Sequence, residues 1–161
     1  MVKKDSNFYF FIIILNIFLI DFFSKYFLLN FFDLENKGRY FVTRFIDLVL
    51  VYNPGISFGI FGNGGEVQRI FLIALSVLII SYLIFWIKNS TSKILSYGLC
   101  LIIAGALGNM FDRIIYGKVV DFISLHVFDY YWYVFNIADL AIVFGGLSIL
   151  MVSVKDSFRS S

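Results

Sequence analysis

Four long apolar runs, at about residues 8–32, 67–87, 94–111 and 135–154, dominate this sequence and leave few folds open to it. A bilayer core takes about 20 helical residues to cross, and a helix satisfies its own backbone polar groups there, so each run is suited to spanning. With 60% hydrophobic and only 15% charged residues, the chain of 161 residues is too apolar for an ordinary soluble domain. A single proline and the absence of low-complexity tracts or internal repeats leave no linker, so one domain over 1–161 is expected. The expected architecture is an all-α membrane protein: a four-transmembrane-helix bundle with a small extracytoplasmic β element and an interfacial helical segment.

The first run, Phe8 to Phe32, is longer than the apolar part of a cleavable secretory segment and carries no small-residue cleavage site, so it is expected to stay attached. Asp21 and Lys25 stand four apart in it. On a helix they share a face and can pair, which lowers the cost of holding both in a membrane. Four spans put both ends of the chain on one side, together with Lys3, Lys4, Lys88, Lys93, Lys155 and Arg159 in short flanking segments. The density of positive charge marks that side as cytoplasmic. Cys100, the single cysteine, lies in an apolar run and reads as a small buried hydrophobe. A net charge of +2, with no basic run interleaved with stacking aromatics, points away from a nucleic-acid partner.

Between the first two spans, the strand-like run Asp47 to Tyr52 leads into Asn53-Pro-Gly-Ile-Ser-Phe-Gly-Ile-Phe-Gly62. Gly55 and Gly59 would let backbone approach a ligand closely, and an exposed strand edge could pair with an extended peptide. Val119 to Tyr133 mixes Asp121, Ser124, His126 and Asp129 with apolar residues and ends in a Tyr-Tyr-Trp-Tyr cluster suited to the headgroup level. His126 has no second histidine or cysteine at metal-ligand spacing, so it is read as an interfacial or hydrogen-bonded side chain and no metal site is proposed.

The chemistry is concentrated in Asn109, Asp112, Arg113, Asp121, Asn136 and Asp139, which fall around the ends of the last two spans. Ionisable groups at membrane depth are costly and mark a functional site by default. Two carboxylates within hydrogen-bonding reach share a proton, so one can accept a proton from water while the other donates to a peptide carbonyl oxygen, as in an aspartic protease. That chemistry needs no cofactor. A small proton- or ion-coupled transporter or channel subunit is the main alternative, and it would place its site near the midplane, commonly between repeats. A non-catalytic assembly subunit would account for the small residues Ala104, Gly105, Ala106 and Gly108 but leave the aspartates idle.

GALGNMFDRIIYGKVVDFI (Gly105 to Ile123) followed by FNIADLAI (Phe135 to Ile142) resembles the lipoprotein signal peptidase family, signal peptidase II, of bacterial inner membranes. The resemblance extends to Asp21 and Lys25 and to Asn53, Gly55 and Phe58, with Pro54 and Ile56-Ser57 departing from the commoner pattern. It implies that Asp121 and Asp139 are the catalytic pair, and that Asn53, Gly55, Asn109, Arg113 and Asn136 bind substrate or orient the dyad. Asp21, Lys25 and Asp112 would be supporting. The implied substrate is a prolipoprotein whose lipobox cysteine already carries diacylglyceryl, cut on the amino side of that cysteine at the outer face of the membrane, with membrane lipid as the other partner.

Overall fold

A computed structural model of the protein describes residues 4–32, 34–55, 65–128 and 130–160. Phe58, Gly59 and Asp129 lie outside the described residues. The element order is α1 (Lys4–Phe31), α2 (Leu34–Lys37), β1 (Arg39–Phe41), β2 (Ile46–Asn53), α3 (Glu66–Asn89), α4 (Lys93–Tyr116), β3 (Val119–Val127), β4 (Tyr130–Phe135) and α5 (Ile137–Ser160). Helices α1, α3, α4 and α5 are long and apolar enough to cross a membrane.

Helix α4 is the hub. Ser96, Gly98, Leu99, Cys100, Ile103, Ala104, Gly105, Gly108 and Asp112 are all buried along it. The small residues bring α5 close: a methyl group on Gly105 would run into the carbonyl oxygen of Ala138, and one on Gly98 would lie 2.9 Å from Ser148 Cβ. Close backbone approach of this kind is how membrane helices gain packing energy without a hydrophobic driving force. A lower core joins Phe10, Ile80, Leu83, Ile87, Leu99, Cys100 and Ile103, so Cys100 is indeed a fully buried apolar filler.

The four strands form one antiparallel sheet in the order β1-β2-β3-β4. Connectivity puts it at one end of the bundle, where α1 and α4 finish and α3 and α5 begin. Gly38, at φ 71°, ends the short α2 with its N–H on the Leu34 carbonyl and turns the chain into β1. Gly117, at φ 74°, ends α4 in the same left-handed conformation and feeds β3. Both positions suit glycine because a side chain there is strained. A second core of Leu28, Leu34 and Phe122, backed by Phe32, Leu48, Leu50, Ile123 and Ile137, packs the sheet onto the ends of α1 and α5.

Two sequence expectations need correcting. The described residues of the stretch 119–133 do not form an interfacial helical segment: Val119–Val127 is β3 and β4 begins at Tyr130, and the sheet is correspondingly larger than expected. β-branched and aromatic residues favour the pleated surface, and β3 finds a partner on both sides, which a helix lying alone on the membrane would lack. The third span also continues past Phe111 to Tyr116, because Asp112 and Arg113 find partners among neighbouring elements and need not leave the helix.

Gly105→Ala should lower stability by about 1–3 kcal/mol through overpacking at the α4–α5 contact. Gly146→Ala, where an added Cβ meets nothing within 4 Å, should be neutral or slightly stabilising. Thermal unfolding of the two variants in detergent compares them directly.

Candidate active site

Asn136 stands between β4 and α5 and caps the helix. Its Oδ1 accepts from the Asp139 N–H at 2.9 Å, and the Asp139 Oδ2 accepts from the Asn136 N–H at 3.3 Å. This reciprocal pair is a capping box, and it fixes Asp139 in the first turn of α5. The Asn136 amide nitrogen also donates to Asp121 Oδ1 at 2.6 Å, to the Val120 carbonyl at 3.3 Å and to Asn109 Oδ1 at 3.2 Å. One fully buried side chain thus contacts the carboxylate of β3 and the helix turn that bears the other carboxylate.

The remaining donors come from elements distant in sequence. Asn109 Nδ2 of α4 donates to Asp139 Oδ1 at 2.8 Å, and Asn53 Nδ2 at the end of β2 donates to Asp121 Oδ2 at 3.1 Å. Asn53 Oδ1 in turn accepts from the Gly55 N–H at 3.1 Å, closing an Asx turn. Arg113 donates from Nη2 to the Gly55 carbonyl and from Nη1 to the Asn109 carbonyl, both at 3.1 Å, and its Nε has no hydrogen bond among the described residues. The structure therefore brings Asn53, Gly55, Asn109, Arg113, Asp121, Asn136 and Asp139 together. Burial pushes the Asp121 carboxyl up to about 7, with the negative charge of Asp139 adding to the effect and the Asn53 and Asn136 amides opposing it.

Asp21, Lys25 and Asp112 form a layer behind the pair. Lys25 Nζ lies 2.6 Å from Asp21 Oδ2 and 2.8 Å from Asp112 Oδ2, and all three side chains are buried. Asp21 Oδ1 accepts from the Ala138 N–H at 2.9 Å, and Asp112 Oδ2 from the Val120 N–H at 3.0 Å. Each amide belongs to the residue just before Asp139 or Asp121. Gly108 is small for the same reason, since a methyl there would sit 2.6 Å from Asp21 Oδ2.

Sequence reasoning passed over two residues. Gln68 donates to the Pro54 carbonyl at 3.0 Å and so holds the turn beside Asn53; nothing in its sequence context signals this. Asp47 lies in β2, as its strand-like run predicts, and is fully buried, pairing with Arg39 at 2.9 Å. A carboxylate within an apolar run was the available clue. His126 Nε2 approaches Asp47 at 3.2 Å, an ion-pair distance with no aligned hydrogen bond, and its ring stacks on Tyr131 at 5.1 Å. His126 pairs at the turn end of β3, five positions along the strand from Asp121, so it belongs to the sheet and not to the carboxylate pair. Among the described residues, no group of three or more His, Cys, Asp or Glu is placed to hold a metal ion.

Comparison with known proteins yields a consistent set of matches. The profile of the family described as "Signal peptidase (SPase) II" matches residues 13–155. A protein named lipoprotein signal peptidase from Methylobacterium radiotolerans is 44% identical over 111 residues, 69% of this chain and 65% of that relative, a little under two thirds of its length. One of the same name from Wigglesworthia glossinidia brevipalpis is 39% identical over 150 residues, 92% of this chain and 94% of the relative. Among solved structures, a bacterial membrane enzyme determined by the in meso method superposes with a TM-score of 0.83 at 26% identity, covering 94% of this chain and 91% of that one.

The raised value of Asp121 makes the folded protein hold a proton that the unfolded chain has already released between about pH 4 and about pH 7. Stability drawn from this group is present at acid pH and lost as pH rises through that window. Asp121→Asn should flatten the decline, which thermal unfolding midpoints across the range will register. His126→Ala should leave turnover within about tenfold of the parent, whereas a catalytic histidine would lose far more.

Proposed function

We propose that this chain, which belongs to the signal peptidase II family, is an aspartic endopeptidase that removes the signal peptide from diacylglyceryl-modified prolipoproteins, with Asp121 and Asp139 as its catalytic pair. The observation that carries the reading is the convergence of two carboxylates from different elements on a shared set of asparagine amides, Asn53, Asn109 and Asn136. Polar groups crowd one end of the bundle, where the sheet sits. A transporter site at the midplane is not what this layout supports, and the family matches give that alternative no support.

In the proposed reaction, a water between the carboxylates attacks the scissile carbonyl carbon. Asp139, which accepts from the Asn109 amide and the Asn136 N–H, takes a proton from that water. Asp121, the carboxyl raised to about 7, donates its proton to the carbonyl oxygen and so stabilises the tetrahedral diol. Asp139 then returns its proton to the leaving nitrogen while Asp121 takes one back from a diol hydroxyl as the carbonyl re-forms; the C–N bond breaks, the signal peptide leaves with a new carboxyl group, the amino group of the lipidated cysteine is freed, and the monoprotonated pair is restored. The Arg113 Nε, with no partner among the described residues, and the Asn53–Gly55 turn are suited to hold the substrate backbone.

A substrate anchored by its diacylglyceryl group presents its cleavage site at headgroup depth. A site at the end of a four-span bundle fits that geometry. The charge distribution supports cytoplasmic termini, with Lys88 in the last turn of α3, Lys93 at the start of α4 and Lys155 near the end of α5, and hence a site at the outer face.

Asp121→Asn and Asp139→Asn should each reduce cleavage of a diacylated lipobox peptide by about 10²–10⁴-fold or more while the protein still inserts and folds. Rate against pH should be bell-shaped, the alkaline limb falling near 7 as the shared proton is lost. Near-normal cleavage by either purified variant contradicts the assignment.

A further inference from the structure

Of the four spanning helices, α1, α4 and α5 each supply side chains to the carboxylate pair or to the layer behind it, and among the described residues α3 supplies none. It reaches the edge of the site through Gln68. That residue stands three positions after the N-cap Gly65, where a glutamine ordinarily folds back onto the start of its own helix. Its amide nitrogen crosses to the exit of β2 and donates to the Pro54 carbonyl at 3.0 Å.

The group it holds is half of one peptide unit. The other half is the Gly55 N–H, which Asn53 Oδ1 accepts at 3.1 Å. A peptide is planar, so its oxygen and its N–H turn together, and fixing the oxygen fixes the direction of the N–H. The Asn53 side-chain amide is planar as well: with Oδ1 held by that N–H, its Nδ2 is aimed at Asp121 Oδ2, 3.1 Å away. A continuous line of hydrogen bonds thus runs from Gln68 through the Pro54–Gly55 peptide and Asn53 to the Asp121 carboxyl. Proline at 54 suits this line, because it keeps Asn53 in extended backbone and leaves the residue's carbonyl as its one main-chain hydrogen-bonding group.

The two oxygens of Asp121 are served unequally. Oδ1 takes the amide of Asn136, which is fully buried and locked by its capping box. Oδ2 takes the amide of Asn53, a half-buried side chain on the last residue of β2, where the chain leaves the sheet. That second donor needs support from outside the strand. Arg113 supplies some at the Gly55 carbonyl, and Gln68 supplies it at the peptide that Asn53 grips.

We propose that Gln68 is a positioning residue for the reaction: by holding the Pro54–Gly55 peptide it fixes the plane of the Asn53 amide and so keeps that donor on Asp121 Oδ2. The inference rests on the reading of Asp121 and Asp139 as the catalytic pair. The Asn53 amide favours the ionised form of Asp121 and opposes the rise that burial causes, so loosening it lets the carboxyl keep its proton to higher pH.

Infrared difference titration of the isotopically labelled protein in lipid reads the Asp121 proton without turnover. Gln68→Met removes the donor at nearly constant size and suits a helix; the midpoint of the protonated-carboxyl band should move above that of the parent. With a diacylated lipobox peptide, the maximum of kcat/KM should fall about three- to tenfold, as for loss of one hydrogen bond, while its alkaline limb moves to higher pH. Gln68→Ala should behave alike, and Gln68→Lys, which keeps a donor, should recover most of the maximum. In an Asn53→Ala background, Gln68→Met should leave the band where Asn53→Ala alone puts it, since the line has lost its last link. A midpoint unmoved by Gln68→Met, or moved equally with and without Asn53, overturns the proposal. Near-normal cleavage by Asp121→Asn or Asp139→Asn would remove the catalytic assignment and this inference with it, whereas two inactive aspartate variants beside a Gln68→Met that behaves as the parent overturn this inference alone.

Discussion

The side-chain amide of Asn136 is the interaction on which the arrangement of the two carboxylates depends. It donates to Asp121, while the carbonyl of the same group accepts from the Asp139 N–H and the backbone N–H returns a bond to the Asp139 carboxylate. A buried polar group that is half satisfied costs more than an apolar one in its place. Asn136 avoids that cost by using both ends of its amide, and in doing so links β3 to the first turn of α5.

Behind it, the lysine between two acids does for the backbone what Asn136 does for the side chains. Lys25 joins Asp21 to Asp112, and those two carboxylates hold the amides of Ala138 and Val120. The strand and the helix are thereby fixed one residue before each aspartate. A buried ion pair is weak evidence for stability, because desolvation offsets much of the attraction. Its contribution here is positional: α1, α4, α5 and β3 meet at one cluster, and close packing at Gly105 and Gly108 permits it.

Much of this was legible in the sequence, for physical reasons specific to a membrane chain. The spans followed from apolar length, and the site residues stood out because polar side chains at bilayer depth are rare. Asp21 and Lys25 could be paired from helical spacing alone, and Asp47 to Tyr52 was recognisable as a strand. What stayed hidden was non-local. Residues 119–133 read as an interfacial helix because aromatic and polar residues suit either state, and the decision rests on β2, far away in sequence, offering an edge to β3. Asp112 could be flagged as polar but not seen to bind Val120, and Gln68 gave no signal of its hold on Pro54. The family resemblance selected Asp121 and Asp139 among several acids; spacing alone would not have.

The proposed chemistry depends on one proton that the Asp121 carboxyl keeps until the pH approaches about 7. Infrared difference titration of the protein in lipid, with aspartate carboxyls isotopically labelled, observes that proton through the carbonyl stretch of a protonated acid. The account predicts a protonated-carboxyl band that disappears with a midpoint near 7 and is absent from Asp121→Asn. A spectrum showing only ionised carboxylates at pH 6, or a band unaltered by that substitution, would contradict it.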